Sequence, residues 1–195
     1  MESLSKMITS LLSPQNSPNS ITVPNHPIQA PSTVTFTSDA GTPLSAPKVH
    51  PINESTWDWW YFDAVQIPHP ANPANRHSVV VTFYTAVSSG FEMVDVYTEQ
   101  GFSSLTLGEV SVTYPNATHQ TYLFNATQAR IEAGNQGEGD GDGVSGVWSE
   151  GAEAVGFEGS SDMGFWRVEM NSSNIFGEMV LQSVRIPPPH SEVIW

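Results

Sequence analysis

The sequence predicts an all-β protein, built as a sandwich or barrel-like domain, and three observations carry this prediction. Runs rich in β-branched and aromatic residues recur along the chain, and these residue types favour strands. Fifteen prolines and fifteen glycines, with many serines and threonines, separate the runs as turn residues do. No apolar repeat of helical period persists beyond the first dozen residues. A chain of 195 residues is long enough to bury a substantial core.

Residues 1–51 form a proline-rich segment ahead of the predicted domain. They contain eight of the fifteen prolines, separated by polar serine and asparagine. Because proline cannot donate to a sheet ladder, the segment accommodates at most a short edge strand, over Thr33–Thr37. We predict that residues 1–30 are disordered, that residues 31–51 form an extended arm, and that residues 52–190 form the β-sandwich domain.

The domain opens with two predicted strands joined by a loop, and then a hairpin. Residues 57–65 are dense in aromatic strand formers. Residues 78–87 are a β-branched run with little polar alternation, which is typical of a strand covered on both faces. Ser88–Gly90 has the composition of a tight turn, so residues 91–99 are predicted to be the return strand.

The second half of the domain continues the pattern of short strands. Residues 105–114 predict one strand, and residues 122–131 predict two short strands with a turn at Asn125. Residues 134–146 are glycine-rich and acidic, so no regular element is expected there. Three further strands are predicted over residues 153–158, 164–170 and 177–186, and the prolines at 187–189 end the sheet.

Charge and composition exclude several classes of function. The chain has 20 acidic and 6 basic residues, a formal net charge of −14, which disfavours nucleic acid and anionic membrane surfaces as partners. The absence of cysteine excludes disulfides, thiolate nucleophiles and cysteine-based zinc sites. The six histidines lack metal-ligand spacing, so we predict no metal site.

The cellular compartment stays open between the cytoplasm and the secretory pathway. The first thirteen residues carry only a short, broken apolar stretch, weaker than a secretory signal. Four sequons for N-glycosylation point mildly the other way, at Asn53, Asn116, Asn125 and Asn171. No window is long and apolar enough for a transmembrane span.

The most distinctive local feature is the aromatic and acidic segment of residues 57–63. Alternate side chains of a strand share a face, so each face carries large aromatic side chains and one carboxylate. One face holds Trp57, Trp59, Tyr61 and Asp63, and the other holds Asp58, Trp60 and Phe62. The segment either packs as two aromatic core layers, or it forms the wall of a pocket for an extended apolar ligand that a carboxylate orients.

Residues 44–53, followed by residues 55–64 with their Trp-Tyr-Phe-Asp strand, resemble the opening of the fungal Diels–Alderases. These pericyclases of polyketide and polyketide–nonribosomal-peptide pathways are distantly related to the hydroxyneurosporene synthase, or carotenoid hydratase, family. The β-branched strand at 78–87, the turn at Gly90 and the following segment match the family's order, and the resemblance covers about residues 40–190.

The resemblance implies two lipocalin-like all-β domains with a pocket between them. In that pocket a linear polyene substrate is folded for an intramolecular [4+2] cycloaddition without a cofactor. This chain corresponds to the N-terminal half alone. The resemblance therefore implies that a missing C-terminal domain or a partner subunit supplies the remaining wall, and it leaves open whether the isolated half is an active enzyme.

The resemblance also implies a set of site residues. Asp58 matches the acidic position ahead of the motif and is the predicted catalytic residue, through a hydrogen bond that orients the substrate. The predicted substrate-binding residues are Trp57, Trp60, Tyr61, Asp63, Thr82, Tyr84, Asp95 and Tyr97.

Two other functions remain open at this point. The chain is alternatively a non-catalytic module that binds a hydrophobic ligand or a partner domain. It is otherwise an enzyme of the carotenoid-hydratase type, which requires a true proton donor, so that Asp58 or Asp63 would have to titrate with a raised pKa.

Overall fold

The computed structural model describes residues 20–35, 46–67, 70–72, 75–98, 105–134, 143–160 and 163–183. In these residues strands dominate, and helix is confined to a single 3-10 turn and one short α-helix. The strands are β1 Ser20–Pro24, β2 Thr33–Val34, β3 Val49–His50, β4 Asp58–Val65, β5 Ser78–Thr85, β6 Thr106–Thr113, β7 His119–Ala126, β8 Gln128–Ala133, β9 Val144–Glu150, β10 Glu153–Gly159, β11 Phe165–Asn171 and β12 Phe176–Gln182. The 3-10 turn is Glu92–Val94 and helix α1 is Asp95–Thr98.

Two antiparallel sheets make up the body of the protein. The larger sheet has six strands in the order β1-β8-β9-β10-β11-β12, and the smaller has four in the order β4-β5-β6-β7. A separate pair, β2 with β3, lies in the arm. The chain passes from the four-stranded to the six-stranded sheet at Thr127, between β7 and β8.

The core lies between the two sheets and is rich in aromatic rings. Trp60 and Phe83 of the four-stranded sheet pack against Trp148 of the six-stranded sheet, with ring centroids 5.5 and 4.8 Å away. Phe62 and Phe157 meet in the same layer, with centroids 5.2 Å apart. Since each sheet buries one face against the other, the molecule is a β-sandwich, and the predicted all-β fold is confirmed.

Strand β4 has the two faces that its alternating pattern predicts. Trp60 and Phe62 are buried in the core, whereas Trp59 and Tyr61 point away from the core and are exposed. Strand β5 runs beside it, with Thr82 opposite Tyr61 and Tyr84 opposite Trp59. The outward face of the four-stranded sheet therefore carries aromatic side chains from both strands.

The predicted return strand at residues 91–99 is wrong. Residues 92–98 form the 3-10 turn and helix α1, and the neighbour of β5 is β6, whose Glu109 lies opposite Thr82. The turn at Gly90 exists, but it packs closely on the chain ahead of β4, since a Cβ at Gly90 would lie 3.3 Å from backbone atoms of Glu54 and Thr56. The segment after the turn then lies on the sheet's outer face instead of joining the sheet.

The predicted disorder of residues 1–30 is wrong for residues 20–24, which form strand β1. This strand pairs with β8, with Ile21 opposite Ile131, and it buries Val23 in the core. Pairing on a sheet edge tolerates the proline that ends the strand. Residues 1–19 lie outside the described residues. The predicted edge strand at Thr33–Thr37 exists as the shorter β2, and the division of the arm from the domain at residue 52 stays a prediction.

The second half of the chain follows the prediction with two differences. The break between β7 and β8 falls at Thr127 instead of Asn125, and strand β9 begins at Val144, inside the segment predicted to be irregular. Strands β10, β11 and β12 confirm the three predicted later strands. Residues 135–142 and the predicted end of the sheet at residues 187–189 lie outside the described residues.

Candidate functional site

The outward side of the four-stranded sheet carries a continuous layer of aromatic rings, which we call the aromatic face. Trp59 is its centre, with ring centroids 6.3 Å from both Tyr61 and Tyr84. Trp57 stacks on Phe91, with ring centroids 4.4 Å apart. The centroids of these two rings lie 6.0 and 5.9 Å from that of Trp59. Trp59 and Tyr61 keep 41% and 52% of their surface exposed, so the described residues leave this part of the face uncovered.

A single carboxylate anchors the polar end of the aromatic face. Glu109 Oε2 accepts hydrogen bonds from the hydroxyls of Tyr84, at 3.0 Å, and Tyr97, at 2.7 Å. Glu109 Oε1 accepts a third from Ser111, at 2.8 Å. We call these four residues the Glu109 cluster. It lies on β5, β6 and α1, so three separate elements fix its geometry.

The two tyrosines of the Glu109 cluster are held in their neutral form. Burial, reinforced by the Glu109 charge, raises the pKa of Tyr84 well above that of an ordinary phenol. Burial and the hydrogen bond to Glu109 raise the pKa of Tyr97 in the same way. Both hydroxyls therefore keep their protons at neutral pH and continue to donate to Glu109.

Helix α1 and the 3-10 turn cover one end of the aromatic face. Val94 is buried with Tyr84 and Leu107 in a small apolar cluster, and Phe91 and Tyr97 pack against it. The spacing of Phe91, Val94 and Tyr97 places one residue of each turn on the sheet. This packing brings Tyr97 to Glu109 although the two residues belong to different elements.

A second concavity, the edge cleft, lies where β4 and the β11–β12 edge leave the sandwich open. Its volume is about 370 Å³. Its lining comes from β4, from the arm, and from the opposite sheet edge, and consists of Ala46, Lys48, Asp58, Trp59, Trp60, Tyr61, Phe62, Asp63, Met163, Trp166 and Leu181.

Asp58 braces the arm against β4 within this cleft. Its Oδ2 accepts the backbone N–H of Lys48 at 2.7 Å, and its Oδ1 accepts the backbone N–H of Trp59 at 3.0 Å. Burial raises the pKa of Asp58, and the backbone donors and the Lys48 charge oppose that rise. Burial in turn lowers the pKa of Lys48, against the attraction of Asp58. These contacts describe a structural role, and a contact between Asp58 and substrate stays a prediction.

Changing Asp58 to asparagine will lower the free energy of unfolding by about 1 kcal/mol, since an amide can accept only one of the two backbone hydrogen bonds well. The fold will be retained, because both sheets stay intact. Urea unfolding of Asp58→Asn measures the loss. Asp63→Asn is the matched control, because Asp63 is exposed on the same strand. Equal stability of the two variants would show that Asp58 does not stabilise the contact between the arm and β4.

The predicted site residues fall into three places. The aromatic face and the Glu109 cluster bring together Trp57, Tyr61, Thr82, Tyr84 and Tyr97. Trp60 lies in the core at the inner end of the edge cleft, and Asp63 is exposed on β4 beside Tyr61. Asp95 is exposed at the start of α1, and it takes no part in the hydrogen bonds of the Glu109 cluster.

Glu109 is the polar residue that the sequence reasoning missed. On β6 it alternates with Val110 and lies on the same face as Leu107 and Ser111. The alternation alone places it on the outward face. Its meeting with Tyr84 and Tyr97, however, depends on the β5–β6 pairing and on α1, and the incorrect return strand hid both.

The fold and the site together define a class of protein: a β-sandwich with an open aromatic face on its outer side and the Glu109 carboxylate hydrogen-bonded at one end of that face. Among the described residues, no group of three or more histidine, aspartate or glutamate side chains is placed to hold a metal ion. Within the same residues, no helix reaches the length and apolarity that crossing a membrane requires.

The chain belongs to the Diels-Alderase-like family, whose profile it matches over residues 21–195. It is 30% identical over 152 residues to a quinolone epoxide rearrangement protein of Penicillium thymicola, a match that covers 75% of this chain and 37% of the relative. It is 22% identical over 154 residues to a Diels-Alderase of an Acremonium species, covering 79% of this chain and 34% of the relative.

A solved structure shares the fold. The crystal structure of CghA with Sch210972 superposes with a TM-score of 0.59 at 14% identity, over 87% of this chain and 41% of that chain. The chain thus spans little more than a third of the length of the two curated relatives. The family and the sandwich fold agree with the expectations from residues 44–64.

Proposed function

We propose that the aromatic face is one wall of the substrate pocket of a Diels–Alderase-like pericyclase. A linear polyene lies along Trp59 and Tyr61, and its folded shape favours an intramolecular [4+2] cycloaddition. The pathway in this proposal is fungal polyketide or polyketide–nonribosomal-peptide biosynthesis. Membership of the Diels-Alderase-like family, and a relative named as a Diels-Alderase, support the proposal.

The observation that carries the proposal is the exposure of two neighbouring large aromatic side chains, Trp59 and Tyr61, on the outward side of β4. Large aromatic side chains that remain outside the core mark a surface that binds something apolar. A cycloaddition transfers no proton, so it needs neither a nucleophile nor a titrating acid. It needs a rigid surface that raises the population of the reactive conformer, and a sheet fixed by its neighbours provides one.

The opposite wall of the pocket comes, in this proposal, from a second domain or subunit. The described residues leave Trp59 and Tyr61 open on their outward side. The relatives are considerably longer than the part that this chain matches, which is consistent with a second contributor to the pocket.

Replacing Tyr61 with alanine will weaken binding of a linear polyene about 10-fold. The loss of one aromatic contact costs roughly 1.4 kcal/mol of binding free energy, which corresponds to a tenfold change in Kd. Retinyl acetate is a suitable probe, because its polyene quenches the fluorescence of nearby tryptophans such as Trp59. Phe176→Ala is the matched control, because Phe176 is an aromatic residue, 62% exposed, on the other sheet. If retinyl acetate fails to bind the wild-type chain, or binds the Tyr61 variant equally well, the aromatic face is not the site.

A second candidate function is a binding module without catalysis. The same open aromatic face favours it, because such a surface also suits a carrier or a partner domain. Turnover distinguishes the two. A pericyclase converts a linear polyene precursor to its cyclic isomer when the chain is supplied with its second wall, whereas a binding module retains the ligand unchanged.

A further inference from the structure

The hydroxyl protons of the Glu109 cluster are already committed within the protein. Tyr84 and Tyr97 each have one O–H, and both donate it to Glu109 Oε2, at 3.0 and 2.7 Å. Ser111 donates to Glu109 Oε1 at 2.8 Å. Tyr84 is almost fully buried, so the acceptors that remain within reach of a ligand are the phenol oxygen of partly exposed Tyr97 and the remaining lone pair of Glu109. The cluster can therefore accept further hydrogen bonds, but its own protons are not available to a ligand.

The charge of the cluster strengthens this acceptor character. In the part of the chain that the structure describes, the ion pairs lie on the other sheet, around Arg130 and Arg167, and none of them involves Glu109. A hydrogen bond to a charged acceptor is roughly twice as strong as one between neutral groups. A ligand carbonyl placed here would face lone pairs alone, whereas an N–H or O–H group would meet a charged set of acceptors.

The aromatic face leads directly to the cluster through Tyr84. The ring of Tyr84 lies 6.3 Å from Trp59, and its hydroxyl is bound to Glu109. Tyr84 is almost fully buried, while Tyr97 and Glu109 keep partial exposure. An apolar chain on Trp59 and Tyr61 thus has the Glu109 cluster as its polar neighbour on the β5 side, and exposed Asp63 as a second carboxylate along β4.

We propose that the Glu109 cluster selects ligands that carry a hydrogen-bond donor, an N–H or O–H group such as that of an unsubstituted amide, beside an apolar chain. The proposal rests on the proposed function, because it assigns the polar end of a molecule whose polyene lies on the aromatic face. Glu109 is the residue that determines this specificity, and Tyr97 positions it.

The cluster also has a structural effect, because Tyr97 fastens α1 to the sheet. That effect acts equally on every ligand and cannot distinguish one polar end from another. A test therefore compares two ligands that differ only in their N–H groups, and it records the preference between them alongside the stability of each variant.

Retinamide and N,N-dimethylretinamide are such a pair, since they share the polyene and the carbonyl and differ in the N–H groups. Their binding is measured by tryptophan quenching in the wild-type chain and in Glu109→Gln, Tyr97→Phe and Glu158→Gln. Glu158 is the matched control, because it is a carboxylate on the other sheet. We expect the wild-type chain and Glu158→Gln to prefer retinamide by about 10-fold. Tyr97→Phe should keep that preference, because it frees a lone pair on Glu109 Oε2, whereas Glu109→Gln should lose most of it.

Three results decide the matter. A preference for retinamide that Glu109→Gln abolishes and Tyr97→Phe keeps, while retinyl acetate binding is retained, supports the specificity. Equal binding of the two amides by the wild-type chain overturns it and leaves the aromatic face as a polyene site. Failure of both amides and of retinyl acetate to bind overturns the specificity and the proposed function together.

Discussion

Replacing Trp148 with alanine will lower the free energy of unfolding by about 5 kcal/mol, the largest effect that we expect of any single change. Trp148 is fully buried, with Phe83 at 4.8 Å and Trp60 at 5.5 Å, and the loss of a buried tryptophan costs roughly 3–5 kcal/mol. Its Nε1 also donates to the Tyr84 carbonyl at 2.9 Å, which joins the two sheets. Domains of this kind are stable by only about 5–15 kcal/mol, so most of the margin is removed.

Urea unfolding followed by tryptophan fluorescence and circular dichroism measures this loss. Trp148→Phe preserves most of the ring and removes the N–H, so it will cost less, about 2 kcal/mol. Phe176→Ala, at an exposed site on the same sheet, will be nearly neutral. A Trp148→Ala variant within about 1 kcal/mol of the wild type would mean that the two sheets do not share this core.

The second large effect is a pH-dependent stabilisation by Glu169→Gln. Glu169 is fully buried on β11, and neither carboxylate oxygen has a hydrogen-bond partner among the described residues. Arg167 Nε lies 3.2 Å from Glu169 Oε1 but donates its proton to Glu178. Burial raises the pKa of Glu169 to about 7; the Arg167 charge opposes the rise, and the charges of Glu178 and Glu158 add to it.

The sign of the effect follows from this raised pKa. The folded state favours the protonated form of Glu169. The stability of the folded protein that depends on this proton is therefore fully present below the ordinary glutamate pKa of 4.5 and is lost as the pH rises through about 7. Glutamine mimics the protonated form at every pH. We expect Glu169→Gln to match the wild type at acidic pH and to be more stable by about 1–2 kcal/mol at mildly alkaline pH, after allowance for solvent near the outer face.

Urea unfolding at two pH values, one below the ordinary glutamate pKa of 4.5 and one above the raised pKa of about 7, measures this difference. Glu158→Gln is the control, because Glu158 contacts the same arginine only at 3.9 Å and is more exposed. If wild type and Glu169→Gln lose stability in parallel as the pH rises, Glu169 is already ionised at no cost in the folded protein.

The fold could be predicted from the sequence where local pattern decides it. The alternation of residues 57–63 separated Trp60 and Phe62 from Trp59 and Tyr61 onto opposite faces, as in the structure, but it did not decide which face is buried. The return strand after Gly90 was wrong because the alternation of residues 91–99 also fits a spacing of three, in which Phe91, Val94 and Tyr97 share a face. Strand β1 escaped prediction because its order comes from pairing with β8, which local composition does not encode.

The site could be predicted only as far as side-chain direction along single strands. Tyr61, Thr82 and Tyr84 follow from alternation within β4 and β5. Predicting Glu109 as a site residue requires knowing that β6 is the neighbour of β5. Predicting how Tyr97 reaches Glu109 requires knowing that helix α1 carries it over the sheet. Asp58 was chosen by resemblance, and its contacts with backbone N–H groups depend on the path of the arm.

A titration with retinyl acetate, followed by heteronuclear NMR, tests most directly whether the aromatic face binds a polyene. The signals to record are those of the tryptophan indole N–H groups. The aromatic face predicts that the signals of Trp57 and Trp59 shift as the polyene binds, while the signal of buried Trp148 stays in place. Trp59 borders both sites, so Trp57 separates them: shifts of Trp60 and Trp166 with Trp57 unmoved would place the polyene in the edge cleft and contradict a site on the aromatic face.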